Sequence, residues 1–405
     1  MRWWFPYLCL FALALLASLA ATPLARRIAV RLDAVDYPSA RRVNKEPVPR
    51  MGGIAVMLAL CVAVVAQVWG TANLGWPSIL VRHTAMDLDY PRVGLAFLVI
   101  FATGAIDDVV QLKPLPKLAG QLAAAVLAVS GGLAIGNIVN PFAGGVVDLG
   151  ILAAPVSVAY LVAYVNIINL IDGLDGLASG ISCIASLTMF VLSVMAGRID
   201  AAALSVALAG ATLGFLPYNF NPASIFLGDC GSLLLGFSLG VVSMLTVRRI
   251  AGLTTIIVPL VVALIPIMDT FSAIVRRRRA HVSVGQADRG HIHHRLIAEG
   301  YDQRQAVLLI YAWTGLLCLG ALAMTQVAVW PRVLIFVVLI AASLGFARHL
   351  HLFEPVLRHH LDPVTGRDRL VTPDDPAFAV EEERAEEARE ERREEISERL
   401  RHHDR

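Results

Sequence analysis

Two carboxylates stand almost side by side in an apolar stretch, "NLIDGLDGLASG" at residues 169–180. An ionised carboxylate costs several kcal/mol to place in a bilayer, so Asp172 and Asp175 need a reason. The i,i+3 spacing predicts that both project from one face of a helix, with Asn166 and Asn169 one turn earlier on the same stripe. Gly173 and Gly176 remove bulk beside them, so a ligand can come close. A second group is "DDVVQLKPLPKLAGQ", 107–121, in which the adjacent acids Asp107 and Asp108 are followed by Lys113 and Lys117. Adjacent carboxylates repel and call for a cation or a proton. A third is "NPASIFLGDCGSLLLG", 221–236, where Asp229 lies among glycines with Asn219 and Phe226 upstream. The fourth is "RRRRAHVSVGQADRGHIHHRL", 276–296, where His291, His293 and His294 sit among arginines. Three histidines suit a metal, and near arginines they suit phosphate equally well. The arginine run by itself reads as a lipid-headgroup contact.

Carboxylate oxygens are what Mg²⁺ prefers, commonly shared with substrate phosphates. Cationic donors then hold the remaining phosphate oxygens, which is the equipment of phosphoryl transfer.

The elements that must position these groups follow from composition. Of 405 residues, 57% are hydrophobic and 16% charged, against roughly 45–50% and 25% in a soluble domain. The expected fold is an all-α, polytopic membrane bundle. With about 20 apolar residues per crossing, eleven spans are read: 4–25, 51–70, 91–106, 118–136, 151–168, 177–197, 201–217, 231–247, 252–272, 305–326 and 331–348. The first is read as a span and not a cleaved leader, because "ARRIAVR" follows it at once. Lys and Arg concentrate in 26–50 and 273–304, which puts those loops and the C-terminus in the cytoplasm and the N-terminus outside. The same parity puts every acidic constellation on the cytoplasmic side. Residues 1–350 read as the membrane domain and 351–405 as a charged cytoplasmic tail. The five cysteines are scattered and imply no disulfide framework or zinc site.

Five motifs in this order, "KEPVPRMGG" (45–53) and the four above, resemble the polyprenyl-phosphate N-acetylhexosamine-1-phosphate transferases, of glycosyltransferase family 4 type, over about residues 40–300. The resemblance implies a UDP-N-acetylamino sugar and a membrane polyprenyl phosphate as substrates, UMP as product, and Mg²⁺ with Mn²⁺ as its substitute. It implies Asp229 as a metal ligand, joined by Asp172. Asp107 and Asp108 match paired acids that serve as metal ligands, base or lipid-phosphate site, and Asp175 matches an acid near nucleotide sugar and metal. Lys45, Asn169, Asn219 and Phe226 match substrate-side positions, with Phe226 stacking on uracil. Lys117, His291, His293 and His294 match positions near the phosphates. The "HIHH" form resembles the UDP-GlcNAc branch, acting on undecaprenyl phosphate, that begins surface polysaccharide, teichoic acid or O-antigen lipids. The branch using UDP-MurNAc-pentapeptide has three consecutive histidines, where Arg295 stands here. Ala287 replaces a usual proline before Asp288. The implied location is the cytoplasmic (inner) membrane, with no nucleic-acid partner and a homodimer as an allowed assembly. A transporter or flippase would instead place its acids at mid-membrane and show an inverted repeat.

Overall fold

The computed structural model describes residues 3–37, 47–78, 88–139, 146–247, 261, 263–279, 290–354, 358–361 and 368–371, with 375, 377, 380, 381 and 384 singly. Twelve helices run through them: α1 (Phe5–Arg31), α2 (Gly53–Asn73), α3 (Tyr90–Val110), α4 (Pro114–Ser130), α5 (Ala153–Ile171), α6 (Leu177–Met195), α7 (Ile199–Asn219), α8 (Gly228–Val247), α9 (Leu264–Arg279), α10 (Ile292–Ala298), α11 (Gln303–Gln326) and α12 (Val329–His349). Three short antiparallel ladders complete them: β1 (Val35–Asp36) with β2 (Val48–Pro49), β3 (Asn137–Val139) with β4 (Val146–Asp148), and β5 (Arg358–Leu361) with β6 (Asp368–Val371). The chain is an all-α polytopic membrane protein. Nine helices among the described residues are long and apolar enough to cross a bilayer, and α4 is a shorter apolar helix. The expected span at 252–272 begins outside the described residues, and its end falls within α9.

α8 is the hub. It packs on α2, α3, α5, α6 and α7, and 89% of its apolar window is buried, against 11% for α12 on the perimeter. Lipid tails are as apolar as leucine, so helices in a bilayer associate through close packing of small residues. Here that packing is backbone on backbone. A Cβ on Gly104 of α3 would lie 2.4 Å from the Asp229 carbonyl oxygen, and one on Gly53 of α2 would lie 2.2 Å from the Gly231 nitrogen. The entry to α2 is pinned to the entry to α8 as well: Phe226 N–H donates to the Pro49 carbonyl (2.8 Å), and Gly52 N–H donates to the Phe226 carbonyl (2.9 Å).

The C-terminal ends of α3 and α5 therefore meet the N-terminal ends of α4 and α8 at one end of the bundle. Beyond α12 the chain stays packed, with Leu350 and Leu352 buried. Arg276 and Arg279 of α9 and Arg295 of α10 donate to the carbonyls of Leu352, Phe353 and Glu354 in turn. The "RRRR" run thus departs from the lipid-headgroup expectation at two of its members. Arg276 is only 2% exposed, and Arg279 grips backbone. Most of the charged tail lies outside the described residues.

Forcing a side chain into a packed backbone contact costs about 1–3 kcal/mol or more. Gly104→Val should lower the thermal stability of the detergent-solubilised protein by at least that amount. Gly94→Ala, on the same helix with open space at its Cβ, should leave the melting curve unchanged.

Candidate active site

Asp107 and Asp108 sit in the last turn of α3 and face different partners. Asp108 is 1% exposed. Its Oδ1 accepts from Asp229 N–H (2.8 Å) and its Oδ2 from Cys230 N–H (2.9 Å). It is a helix cap supplied by another helix, satisfying donors that the first turn of α8 leaves open. Asp107 accepts from Leu112 N–H (2.6 Å) on one oxygen and from Lys117 Nζ (2.8 Å) on the other.

Lys117 is the centre of the cluster. Pro114 starts α4 at its first position, where a missing N–H costs nothing, and Lys117 follows at the end of that first turn. Its Nζ donates to Asp107 and, at 2.8 Å, to Asp229 Oδ1, and it lies 3.3 Å from Asn169 Oδ1. Asn169 Nδ2 donates to the same Asp229 oxygen (2.5 Å) and to Ser232 Oγ (2.8 Å). Asp229 is the most open member, its side chain 25% exposed against 7% for Asp107.

The predicted helical stripe of four polar residues does not form. α5 stops at Ile171, and Asp172 already has non-helical ψ of 51°. Residues 172–176 turn, ending at Gly176 with φ of +79°, a left-handed conformation that glycine takes without steric cost. Tyr311 of α11 holds that turn by donating to the Gly176 carbonyl (2.5 Å). Of the four polar residues, Asn169 reaches the cluster, while Asn166 pairs with Gln121 by a 2.7 Å hydrogen bond. The two acids part company. Asp175 Oδ2 accepts from Asn221 Nδ2 (2.9 Å) and Ala223 N–H (3.0 Å), tying this turn to the loop before α8. Asp172 is half-buried and has no side-chain hydrogen bond among the described residues. Burial first, then the charges of Asp229, Asp108 and Asp175, push its carboxyl well above the ordinary range.

The remaining candidates lie apart. Asn219 is 2% exposed and engaged at both ends of its amide, accepting from Ser179 Oγ (2.7 Å) and donating to the Ile225 carbonyl (3.1 Å). Phe226 is half-buried beside the 49–52 segment. His291 pairs with Asp269 of α9 at 2.8 Å. Lys45 lies outside the described residues. His293 and His294 fall within α10, their side chains outside what is described. Two contributors escaped the sequence reading. Arg50 Nη2 donates to the Asp108 carbonyl (2.9 Å), while its Nε is buried without a hydrogen-bond partner among the described residues. Asp269 lies inside an apolar run, and a lone acid there is itself a functional signal.

Among the described residues no three His, Cys, Asp or Glu side chains converge closely enough to hold a metal by themselves. The donor set still suits a hard cation. Lys117 is the one side-chain cation within ion-pair distance of Asp107 and Asp229 among the described residues, while Asp172 stands near them with no cation of its own. Mg²⁺ takes one or two carboxylates and completes its shell with water and substrate phosphate. Asp172, unpartnered, and Asp229, most open, are the carboxylates free to serve.

The protein is an apolar membrane bundle with a cluster of acids and one lysine gathered at the ends of four helices. The chain belongs to glycosyl transferase family 4, whose sequence profile matches residues 90–247. It is 38% identical, over 82% of its length and 88% of the relative's, to a Bacillus subtilis protein named "Probable undecaprenyl-phosphate N-acetylglucosaminyl 1-phosphate transferase". It is 37% identical, over 74% of its length and 78% of the relative's, to the decaprenyl-phosphate N-acetylglucosaminephosphotransferase of Mycolicibacterium smegmatis. A phospho-N-acetylmuramoyl-pentapeptide-transferase of Clostridium kluyveri is 29% identical over 68% of this chain and 84% of that protein.

The two aspartates of the turn should separate in a melting experiment. Asp175→Ala removes an acceptor of two hydrogen bonds, each worth about 1.5–3 kcal/mol to a charged group, and should lower stability clearly. Asp172→Asn removes a charge that has no partner and is repelled by three others, and should leave stability equal or higher in chelator-treated protein. The folded state binds the Asp172 proton more tightly than the unfolded state does, so acidification favours folded wild type. The gap between Asp172→Asn and wild type should therefore close as pH falls below the raised value.

Proposed function

We propose that this chain transfers N-acetylglucosamine-1-phosphate from UDP-GlcNAc to a polyprenyl phosphate, undecaprenyl phosphate in the first instance, and releases UMP. On this reading it is the first membrane step in making a lipid-linked surface polysaccharide, teichoic acid or O-antigen. The observation that carries the proposal is the Lys117 bridge between Asp107 and Asp229, braced by Asn169, at the end of an apolar bundle. A lipid phosphate reaches that level from the bilayer and a nucleotide sugar reaches it from water. The excess of Lys and Arg in 26–50 and 273–304 favours the cytoplasmic face of the inner membrane for the site, with the N-terminus outside.

The reaction is an in-line displacement. An oxygen of the lipid phosphate bonds to the sugar-bearing phosphorus of the donor, and the bond from that phosphorus to the UMP oxygen breaks. A phosphate monoester is largely dianionic near pH 7, so the attack needs no protein base, and both oxygens of Asp108 are committed to the α8 cap. Lys117 brings positive charge to the transferred group, and Asp107 holds its ammonium in place. Asn169 fixes the rotamer of Asp229. Arg50 holds the end of α3 through the Asp108 carbonyl, and the His291 segment is the further source of donors to phosphate. Asp229 and Asp172 would hold Mg²⁺, or Mn²⁺ in its place, which when bound neutralises the diphosphate and the departing UMP.

A second donor, UDP-MurNAc-pentapeptide, is the nearest competing reading, since a relative carries that activity in its name. Arg295 at the third place of the histidine run favours UDP-GlcNAc. Purified protein with polyprenyl phosphate and Mg²⁺ should release UMP from UDP-GlcNAc and not from UDP-MurNAc-pentapeptide, and Asp229→Asn should cut that release by at least 10²-fold. Full activity in the variant would remove Asp229 from the reaction, and UMP from the muropeptide donor alone would reverse the choice of substrate.

A further inference from the structure

The C-terminal end of α12 borders a cavity of about 600 Å³, away from the acids and the lysine of the active site. Its walls are Ala341, Leu344, Gly345 and Arg348 of α12, Arg279 of α9 and the 351–354 turn. The four α12 residues are spaced i, i+3, i+4 and i+7, which puts them on one face of the helix. That face is bare. Leu344 is 45% exposed, and a Cβ on Gly345 would meet nothing within 4 Å. A glycine inside a helix costs about 1 kcal/mol against alanine, and in a bilayer the close approach of another helix ordinarily offsets that. Here no described residue stands against Gly345, and its missing side chain leaves a notch on the perimeter of the bundle.

The apolar stripe ends in a charge. α12 has 21 residues, which at ~1.5 Å each just cover a hydrocarbon core of roughly 30 Å. Arg348, in its last turn, therefore lies where lipid headgroups begin. Its guanidinium has no hydrogen-bond or ion-pair partner among the described residues. Arg279 also lines the cavity, its Nη1 held by the Phe353 carbonyl at 3.0 Å. The acid on the wall, Glu354, is paired with His351 at 2.9 Å. Two guanidinium groups against one carboxylate leave the cavity positive.

We propose that this cavity binds one anionic phospholipid, with its phosphate on Arg348 and its first acyl carbons along Ala341, Leu344 and the Gly345 notch. An apolar wall that gives way to a guanidinium within two helical turns suits an amphiphile, and guanidinium takes phosphate oxygens two at a time. The 351–354 turn that closes the cavity is the one whose carbonyls Arg276, Arg279 and Arg295 hold. A bound lipid thus braces the corner where α9, α10 and α12 meet. The proposal is independent of the reaction assigned above.

The test uses the purified full-length protein, stripped of lipid by detergent exchange. It is titrated separately with phosphatidylglycerol, phosphatidylcholine, inorganic phosphate and undecaprenyl phosphate, with bound lipid counted by native mass spectrometry. Wild type should retain one more phosphatidylglycerol than Arg348→Ala, whose affinity for that lipid should fall about 5-fold or more. Gly345→Leu fills the notch and should lose the same lipid. Lipid-free melting curves of both variants should match wild type, since Arg348 has no partner to lose and Gly345 no neighbour to meet. Equal retention by wild type and both variants overturns the proposal. So does wild-type affinity for phosphatidylcholine equal to that for phosphatidylglycerol, which would leave Arg348 no part. Displacement of the lipid by inorganic phosphate would make the cavity an ion site, and displacement by equimolar undecaprenyl phosphate would make it a substrate site; either result overturns the proposal. Should Gly345→Leu fail to fold, Arg348→Ala decides alone.

Discussion

A carboxylate inside an apolar bundle must find donors or give up its charge, and that constraint organises this molecule. Asp108 meets it with the two backbone N–H groups that open α8. Because those donors belong to the most buried helix, the acid that needs them and the helix that offers them fix each other. Asp229 is itself one of the two residues donating, so the cap for one carboxylate sets the backbone of the next. Lys117 then joins Asp229 to Asp107, the neighbour of the capping acid. The site is a closed circuit of four helix ends.

Two kinds of acid emerge from this arrangement. Asp108, Asp175 and Asp269 have their oxygens engaged by the protein and hold other groups in place. Asp229 and Asp172 are more open or unpartnered, and they carry the charge that a substrate complex can use. The division follows hydrogen bonding and not sequence position, since Asp107 and Asp108 are adjacent and Asp172 and Asp175 share one turn. In the 172–175 turn one acid is held and its neighbour is left open, whereas at 107–108 both are held, one by backbone and one by Lys117.

Much of this was legible in the sequence. The lengths of the apolar runs placed most of the helices, and the acids, Lys117 and Asn169 marked the ends that meet. What failed was the stripe through Asn166, Asn169, Asp172 and Asp175. Spacing of i,i+3 describes a helix, and the glycines taken as room for a ligand at 173 and 176 belong instead to a turn that ends it. The partners of Asp175 lie about 46 residues away, and no local pattern encodes such a pairing. The same holds for Asp269, whose donors are beyond a basic loop. Arg276 misled for another reason: four consecutive arginines look like a surface, but the helix period buries one of them.

The closeness of α3, α2 and α8 has a further meaning. Where Gly104 meets the Asp229 carbonyl and Gly53 meets the Gly231 nitrogen, no rotamer stands between the backbones to take up movement. Helices answer a thicker or thinner bilayer by changing tilt. In a bundle cushioned by leucines that adjustment dissipates among side chains. Here α2, α3 and α8 touch through their backbones at the level of the site, so a change of tilt carries the three together and leaves the spacing of Asp108 and Asp229 as it was.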